Sequence, residues 1–367
     1  MIGKCQASDL CVIGGGPAGL AAAIAARRRG LDVTVLDHAT PPIDKVCGEG
    51  IMPDGVDAAR AIGIHLEEAD AFRFRGIRFL DAHTVVEAGF PRGAGLGLRR
   101  TALHSLLLRC AEHVGVRLMW GARVTGIRKE HVVTDQGMIA ARWIAGADGT
   151  NSNVRRWAGL DSSGPDLVRY GFRRHYRVAP WTDSMELHWA HGCQLYITPI
   201  CASEICVVLL SRDPRLRLDE ALGRFPEVAR RLEGELPAAA ERGAPTISRR
   251  LKRVCRDTVA LVGDASGSVD AITGEGVCLA FHHAAALADA LAAGDLSVYE
   301  KAHHRLARRP RAMASLMLWL DRSSTLRRGI LKLLSANPAL FERLLAVHVG
   351  ELSLLDAVRA FVPAITR

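Results

Sequence analysis

Residues 9–29 read DLCVIGGGPAGLAAAIAARRR, and this stretch decides the class of fold. A short apolar run leads into GGGPAG at residues 14–19, and an Ala-rich segment of helical composition follows at once. In the pattern G-x-G-x-x-G, Gly14 permits a tight turn, Gly16 lets a pyrophosphate approach the backbone, and Gly19 lets helix and strand pack closely. Because the helix start offers free N–H groups and the positive end of a dipole, the stretch predicts a dinucleotide site.

A second predicted strand, residues 32–36, ends at Asp37. This carboxylate follows Gly19 by about the spacing at which an acid meets an adenosine ribose. The order strand, turn, helix, strand, acid makes the motif far more specific than its glycines alone. A glycine-rich turn without a ligand is the alternative.

Length and composition limit the class of protein. The chain has 367 residues, of which 49% are hydrophobic, so it can bury a large core and form two closely joined domains. No apolar run reaches the roughly 18 residues that cross a bilayer, and a motif starting at Gly14 leaves no room for a cleavable signal peptide. The nine cysteines form no C-x-x-C pair and no zinc spacing. We therefore expect a cytoplasmic protein with free thiols and no metal site.

The formal charge of +9 is concentrated at the carboxyl end, where residues 301–367 hold 12 Lys and Arg against 4 Asp and Glu. A solvated basic helical face is one interpretation. Contact with an anionic surface, either a membrane or an acidic partner, is the other. No nucleic-acid-binding motif accompanies the charge, so we expect no nucleic-acid partner. Apolar residues at helical spacing either pack on their own domain or meet lipid: Leu326, Ile330, Leu333, Leu334, Leu340, Leu344 and Val347.

The remaining chain divides by hydrophobic pattern. Helices are predicted at residues 51–63, 101–113, 213–234, 276–293 and 300–367, the last interrupted near Asn337-Pro338. Strands are predicted at residues 72–86, 117–120 and 258–262, and a small β-meander at 124–143 turns at Gly137. Four strands between residues 165 and 210 predict an antiparallel sheet, with one apolar and one polar face.

Three motifs stand in order along the chain: GGGPAG at 14–19, GADGTNSNVR at 146–155, and VALVGDASG at 259–267 continuing into DAITGEG at 270–276. Together they resemble the FAD-dependent superfamily of p-hydroxybenzoate hydroxylase, geranylgeranyl reductases and flavin-dependent halogenases. The resemblance covers most of residues 5–300. The stretch KVCGEGIMPDG at 45–55, taken with DAITGEG, is closer to the reductase and halogenase branches. The resemblance implies FAD as cofactor and NAD(P)H as electron donor.

The same resemblance implies an α/β fold: a Rossmann-like, three-layer FAD-binding domain with a β-meander, an inserted antiparallel-sheet substrate domain and a C-terminal helical tail. We expect the FAD-binding domain to comprise residues 1–75, 96–160 and 255–305. The substrate domain would comprise residues 76–95 and 161–254, and the helical region residues 306–367. A monomer or a homodimer is expected.

Roles for individual residues follow from the matching motifs. Arg100 matches the family's FAD-contacting arginine, with Arg99 as the alternative register. Asp264 would bond flavin ribityl or phosphate-side hydroxyls, and Lys45 either meets the pyrophosphate or is solvated. The expected cofactor-binding set is Gly14, Gly16, Pro17, Ala18, Gly19, Asp37, Lys45, Arg100, Val124, Asp148, Gly149, Gly263, Asp264, Gly274, Gly276 and Val277.

Five residues are candidates for the chemistry. Cys47 would form a wall or tuning group beside the flavin ring, unless it is an inert buried thiol. Glu49 and Glu275 would donate protons near the ring or only position their loops. His175 and Tyr196, with His188 beside them, would hold or deprotonate a phenol, unless these strand residues face solvent.

The activity expected first is NAD(P)H-driven monooxygenation of an aromatic or polyketide-like small molecule through a flavin C4a-hydroperoxide. The alternative is saturation of isoprenoid double bonds, as in geranylgeranyl reductases. A halogenase is less favoured because the W-x-W-x-I-P signature is absent. A non-enzymatic carrier or scaffold on the same fold is the remaining hypothesis.

Overall fold

A computed structural model describes residues 7–161 and 167–353 and confirms the α/β class. Eighteen strands are present in these ranges: β1 Ser8–Ile13, β2 Val33–Asp37, β3 Gly50–Ile51, β4 Phe72–Phe74, β5 Gly76–Leu80, β6 Val85–Gly89, β7 Gly95–Gly97, β8 Arg117–Trp120, β9 Val124–Arg128, β10 His131–Thr134, β11 Gly137–Gly146, β12 Leu167–Tyr176, β13 Ser184–Ala190, β14 Cys193–Cys201, β15 Glu204–Ser211, β16 Arg242–Ser248, β17 Cys255–Arg256 and β18 Val259–Leu261. The α-helices are α1 Pro17–Arg28, α2 Pro53–Ala61, α3 Arg100–His113, α4 Asn153–Trp157, α5 Leu218–Leu222, α6 Pro226–Arg231, α7 Gly276–Ala293, α8 Leu296–Leu306, α9 Arg308–Arg322, α10 Ser324–Ala336 and α11 Pro338–His348.

The first sheet has the order β17-β18-β11-β1-β2-β8 and is parallel except for β17. Its central strands are almost wholly buried, which explains their unbroken apolar runs. Carboxyl ends of parallel strands meet at one edge of a sheet. The three motifs follow β1, β11 and β18, so this edge gathers segments more than a hundred residues apart.

The predicted meander is present as β9, β10 and the first half of β11. β11 then continues into the parallel sheet, where Ala141 to Gly146 pair with β1. Gly137 forms the turn with φ of 133°, a conformation that L side chains rarely adopt.

The second sheet has the order β16-β12-β15-β14-β13-β5-β6. It is antiparallel except at β5–β13, which is a parallel pair. The predicted division into one apolar and one polar face is not present: both faces of β13, β14 and β15 are buried, and each face contributes apolar residues to a core. One face packs with residues of α5 and α6 in a second apolar core, and the other looks toward the first sheet. The predicted helix over 213–234 is therefore two short helices, which cover the outer face.

The C-terminal helices pack on the body of the molecule, with α10 and α11 against β6 and α9 against a 3₁₀ turn at Ala271–Thr273. Leu326, Ile330 and Leu334 face the core as predicted, whereas Leu333 is 51% exposed and Leu331 is buried instead. The predicted continuation of the helical tail through residues 354–367 lies outside the described residues. Within the described ranges, α7 alone is long and apolar enough to cross a bilayer. It packs against α1, α2 and α8, so we interpret it as a core helix.

Candidate functional site

A cavity of about 820 Å³ lies between the carboxyl edge of the first sheet and the inner face of the second. Every residue of the expected cofactor-binding set except Gly19 lines it. Residues 14, 16–18, 147–151 and 263–264 form one end, and strands β12 to β16 form the other. The fold therefore brings the three motifs around a single volume.

The glycine turn has the geometry that a phosphate cradle requires. Gly14 has φ of 113°, and a Cβ on Gly19 would lie 1.8 Å from the Gly14 carbonyl oxygen. Gly19 thus acts by close packing of α1 on the turn, which is why it does not line the cavity. The Gly15 N–H donates to Asp37 Oδ2 at 2.7 Å, so the acid that ends β2 also fixes the turn.

Arg100 supplies a buried positive charge beside this turn. Its Nη2 lies 4.0 Å from the Cβ position of Gly16, and its buried Nε has no hydrogen-bond partner among the described residues. Burial lowers the pKa of this guanidinium. A buried cation with unpaired donors needs an anionic ligand. Arg99, the alternative, instead pairs with Glu204 at 2.7 Å. The cradle and this donor fit a pyrophosphate, as FAD would place there.

Two acids near the cradle are already engaged by protein groups. Asp264 Oδ2 accepts from Lys45 Nζ at 2.9 Å and from Thr150 Oγ1 at 3.3 Å. Lys45, whose side chain is 47% exposed, therefore pairs with an acid of the cavity wall and also remains in contact with solvent. Asp148 accepts from Ser152 Oγ at 2.5 Å and Asn153 N at 2.7 Å, so its carboxylate caps α4. Asp148 consequently shapes the turn that presents Gly149 to the cavity.

The segment Asp270–Gly276 forms the opposite wall. Gly274 has φ of 68°, and α7 begins at Gly276 with its N-terminal N–H groups at the cavity. That helix end favours negative charge on a bound ring. Glu275 does not line the cavity: it turns toward Arg309 and His348, at 3.5 and 3.8 Å. Burial raises the pKa of Glu275 to about 8.

Residues of the loop that contains Cys47 line two different cavities. Cys47 lines the large cavity, and its Sγ accepts from the Glu49 N–H at 3.3 Å. Glu49 and His175 instead line a separate cavity of about 160 Å³. Glu49 is 3% exposed and has φ of 61°, and it accepts from Arg100 N at 2.9 Å and Arg173 Nη1 at 3.1 Å. Glu49 and His175 therefore contact the loop on the side away from the large cavity. This placement contradicts the prediction that they donate protons directly into that cavity.

Glu49, His175 and Cys206 also bring three metal-ligand atoms within 4.8 Å of one another. Arg173 already neutralises Glu49 and forms a second ion pair with Asp44 at 2.8 Å. The arrangement is that of a buried ion-pair network.

Two strand candidates need correction. Tyr196 lines the cavity, but its hydroxyl donates to the Ile272 carbonyl oxygen at 2.5 Å, and burial raises its pKa well above the usual value. Its hydroxyl is therefore poorly suited to deprotonate a phenol. His188 lies on the outer face of β13, where it meets Glu186 at 2.9 Å, so it cannot reach the cavity.

Several polar residues at the cavity are not predicted by the sequence motifs. Thr198 is 1% exposed and lines the cavity. Among the residues that the structure describes, its Oγ1 has no hydrogen-bond partner, and neither has the buried Oγ1 of Thr246. Asp270 lines the cavity and pairs with the fully buried Arg169 at 3.1 Å. Alternation along β14 placed Thr198 on the same face as Tyr196, which is the only signal that pointed to it.

Comparison with known proteins agrees with this geometry. The chain is similar to menaquinone reductase of Mycobacterium tuberculosis, with 29% identity over 300 residues that cover 74% of this chain and 73% of the relative. It is also similar to 6-methylpretetramide 4-monooxygenase of Streptomyces rimosus, with 27% identity over 333 residues covering 78% and 76%. A flavoprotein/dehydrogenase structure from Cytophaga hutchinsonii shares the fold with a TM-score of 0.81, at 17% identity and 94% and 93% coverage.

The cradle, the buried arginine and these relatives define an FAD-dependent oxidoreductase. The family model described as "FAD binding domain" matches residues 7–200, which is just over half of the chain. The protein therefore belongs to this family, and the resemblance inferred from its motifs is confirmed.

Proposed function

We propose that the protein is a monooxygenase that hydroxylates an aromatic or polyketide-like small molecule, with NAD(P)H as electron donor. The observation that carries the proposal is Thr198, whose buried hydroxyl has no partner among the described residues. An unpaired hydroxyl facing a cavity favours a ligand that completes its hydrogen bond. A phenol or ring carbonyl provides such a group.

The surroundings of Thr198 suit the ring of such a substrate. Met185, Val208 and Leu210 from the second sheet, with Ile247 of β16, make the wall at this end of the cavity mainly apolar. An apolar wall with a few polar groups is the usual character of a small-molecule site. It also excludes water, which oxygen transfer from a reduced flavin requires. Bound FAD would supply the reduction of O₂ and the transfer of one oxygen atom.

The similarity to 6-methylpretetramide 4-monooxygenase of Streptomyces rimosus supports the choice of a monooxygenase. Electron supply by NAD(P)H rests on the family resemblance. In this proposal Arg100 and the glycine turn hold the pyrophosphate, while the start of α7 stabilises negative charge on the reduced ring.

A second candidate is saturation of an isoprenoid double bond, and Cys47 is the observation that favours it. Its thiol lines the cavity within the loop that matches the reductase branch. Bound FAD would supply the hydride, while the Cys47 thiol would donate a proton to the double bond and regain one from solvent. The similarity to menaquinone reductase supports this alternative.

The deciding experiment measures whether an oxygen atom of O₂ enters the product. Purified holoenzyme is given NAD(P)H, ¹⁸O₂ and a panel of phenols, polyketides and polyprenyl quinones, and products are analysed by mass. We expect one ¹⁸O atom to be incorporated into a phenolic product. Thr198→Val is expected to reduce this incorporation, and Cys47→Ser is expected to retain it. Gain of two hydrogens by a polyprenyl chain without O₂, abolished by Cys47→Ser, would reject the monooxygenase and favour the reductase.

A further inference from the structure

The outward faces of α9 and α10 are basic and carry exposed apolar side chains. On α9 the exposed positions include Arg308, Leu316, Trp319 and Arg322, which helical spacing places on one side. Trp319 is 64% exposed and Leu316 is 37% exposed. Large apolar side chains left in water at this extent mark an interaction site when they cluster.

The adjoining helix adds charge of the same sign. Arg328 and Lys332 are exposed on α10, and Leu333 beside them is 51% exposed. The single acid in both helices is Asp321, whose side chain is only 6% exposed. The exposed faces of α9 and α10 therefore present cations and no carboxylate.

Asp321 also explains why Trp319 faces outward. Its carboxylate accepts from Gln194 Nε2 of β14 and from Arg212 Nη2, the latter at 3.1 Å. Since Asp321 lies on the side of α9 opposite to Trp319, this buried anchor fixes the rotation of the helix. The same helix contacts the turn at Ala271–Thr273, which borders the cavity.

We propose that the α9–α10 face docks on an anionic lipid surface. Exposed cations attract acidic headgroups, and Trp319 with Leu316 and Leu333 enters the boundary between headgroups and acyl chains. A tryptophan suits this layer because its ring is apolar and its N–H is polar. An acidic protein would also meet the cations, but the outward tryptophan and leucines favour lipid.

Vesicle flotation of the full-length holoenzyme tests the proposal. Vesicles of phosphatidylcholine with about one third phosphatidylglycerol are expected to carry the protein upward at low salt, and phosphatidylcholine alone to carry much less. Arg328→Glu with Lys332→Glu is expected to weaken binding at least tenfold, since each cation near an anionic surface contributes about 1 kcal/mol. Trp319→Ser is expected to weaken binding to a similar degree.

The matched control is Arg128→Glu with Arg230→Glu, an equal change of charge at exposed positions on β9 and α6. This pair is expected to float like the wild type, and circular-dichroism melting checks that all variants are folded. Equal losses in both charge pairs, equal binding to neutral vesicles, or no flotation of the wild type would overturn the proposal. A dimer in sedimentation that Trp319→Ser dissociates, without vesicle binding, would assign the face to a second copy instead.

Discussion

His175 Nε2 and Glu49 Oε2 lie 2.7 Å apart in a buried network behind the loop that carries Cys47 into the large cavity. Glu49 also accepts from the Arg100 backbone N–H, so the same carboxylate orients the residue that faces the glycine turn. Glu49 is held in a left-handed conformation that non-glycine residues rarely adopt, which indicates that these contacts over-determine its position.

We predict that Glu49→Gln lowers the free energy of unfolding by about 2 kcal/mol, the value of a buried hydrogen bond between charged groups, because Arg173 keeps its pair with Asp44 but loses the charge of Glu49. FAD affinity is expected to change much less, since the amide oxygen that replaces the carboxylate can still accept from the Arg100 N–H. Thermal melting and FAD titration measure the two effects. Glu204→Gln is the control: it breaks the more exposed pair with Arg99 and is expected to change stability by less than about 1 kcal/mol. Equal effects of the two variants would contradict the special role of Glu49.

Arg100→Met is predicted to weaken FAD binding roughly 10- to 100-fold, the value of one or two charge-assisted hydrogen bonds. Stability of the FAD-free protein is expected to change little, because the buried Nε has no partner to lose in the part of the chain that the structure describes. FAD fluorescence titration and melting of the FAD-free protein measure both. Arg99→Met changes the neighbouring cation and should leave FAD affinity close to wild type. An unchanged affinity in Arg100→Met would remove this residue from the pyrophosphate site.

Removal of the unpaired hydroxyl in Thr198→Val is predicted to raise protein stability by up to about 1 kcal/mol, because a buried polar group without a partner is unfavourable. At the same time KM for the substrate is expected to rise roughly tenfold with a smaller change in kcat. Ser211→Ala is a contrasting control. That buried hydroxyl accepts from Asp213 N at 3.0 Å, so its loss should reduce stability and leave KM unchanged. A destabilised Thr198→Val would show that Thr198 has a partner inside the protein.

The raised pKa of Glu275 predicts a specific dependence of protein stability on pH. Burial raises its pKa from 4.5 to about 8, so the folded protein retains a proton that the unfolded chain releases. Its contribution is complete below about pH 4.5 and is lost as pH rises toward 8, with a slope of about 1.4 kcal/mol per pH unit.

Denaturant unfolding of wild type and Glu275→Gln between pH 5 and 9 measures this effect. The variant stays neutral, so its stability relative to wild type is expected to increase with pH and to level off above about pH 8. Glu351→Gln, which alters a partly exposed pair with Arg92, serves as the control with little pH dependence. A pH-independent difference for Glu275→Gln would mean that Glu275 is ionised throughout.

The sequence by itself determined the class of fold and the family. G-x-G-x-x-G, the acid at the end of the second strand and the two later motifs depend on local backbone geometry, which short segments encode directly. The alternation in β12–β15 likewise placed Tyr196 and Leu195 on opposite faces of their strand, and His188 and Leu187 on opposite faces of theirs. These patterns are local because side chains of a strand alternate between its two faces every two residues. A tight turn likewise requires glycine at particular positions, whatever the rest of the fold is.

Only the tertiary structure decided what each polar side chain meets. Glu49 and Glu275 both follow glycines in cavity-facing loops, yet one meets Arg173 and His175 while the other meets Arg309 and His348. Alternation places Thr198 on the same face as Tyr196, but only the packing of the sheets leaves its hydroxyl at the cavity without a partner among the described residues. Such partners come from strands and helices 34 to 126 residues away along the chain, and charge pairing and desolvation depend on distances in space that no local pattern contains.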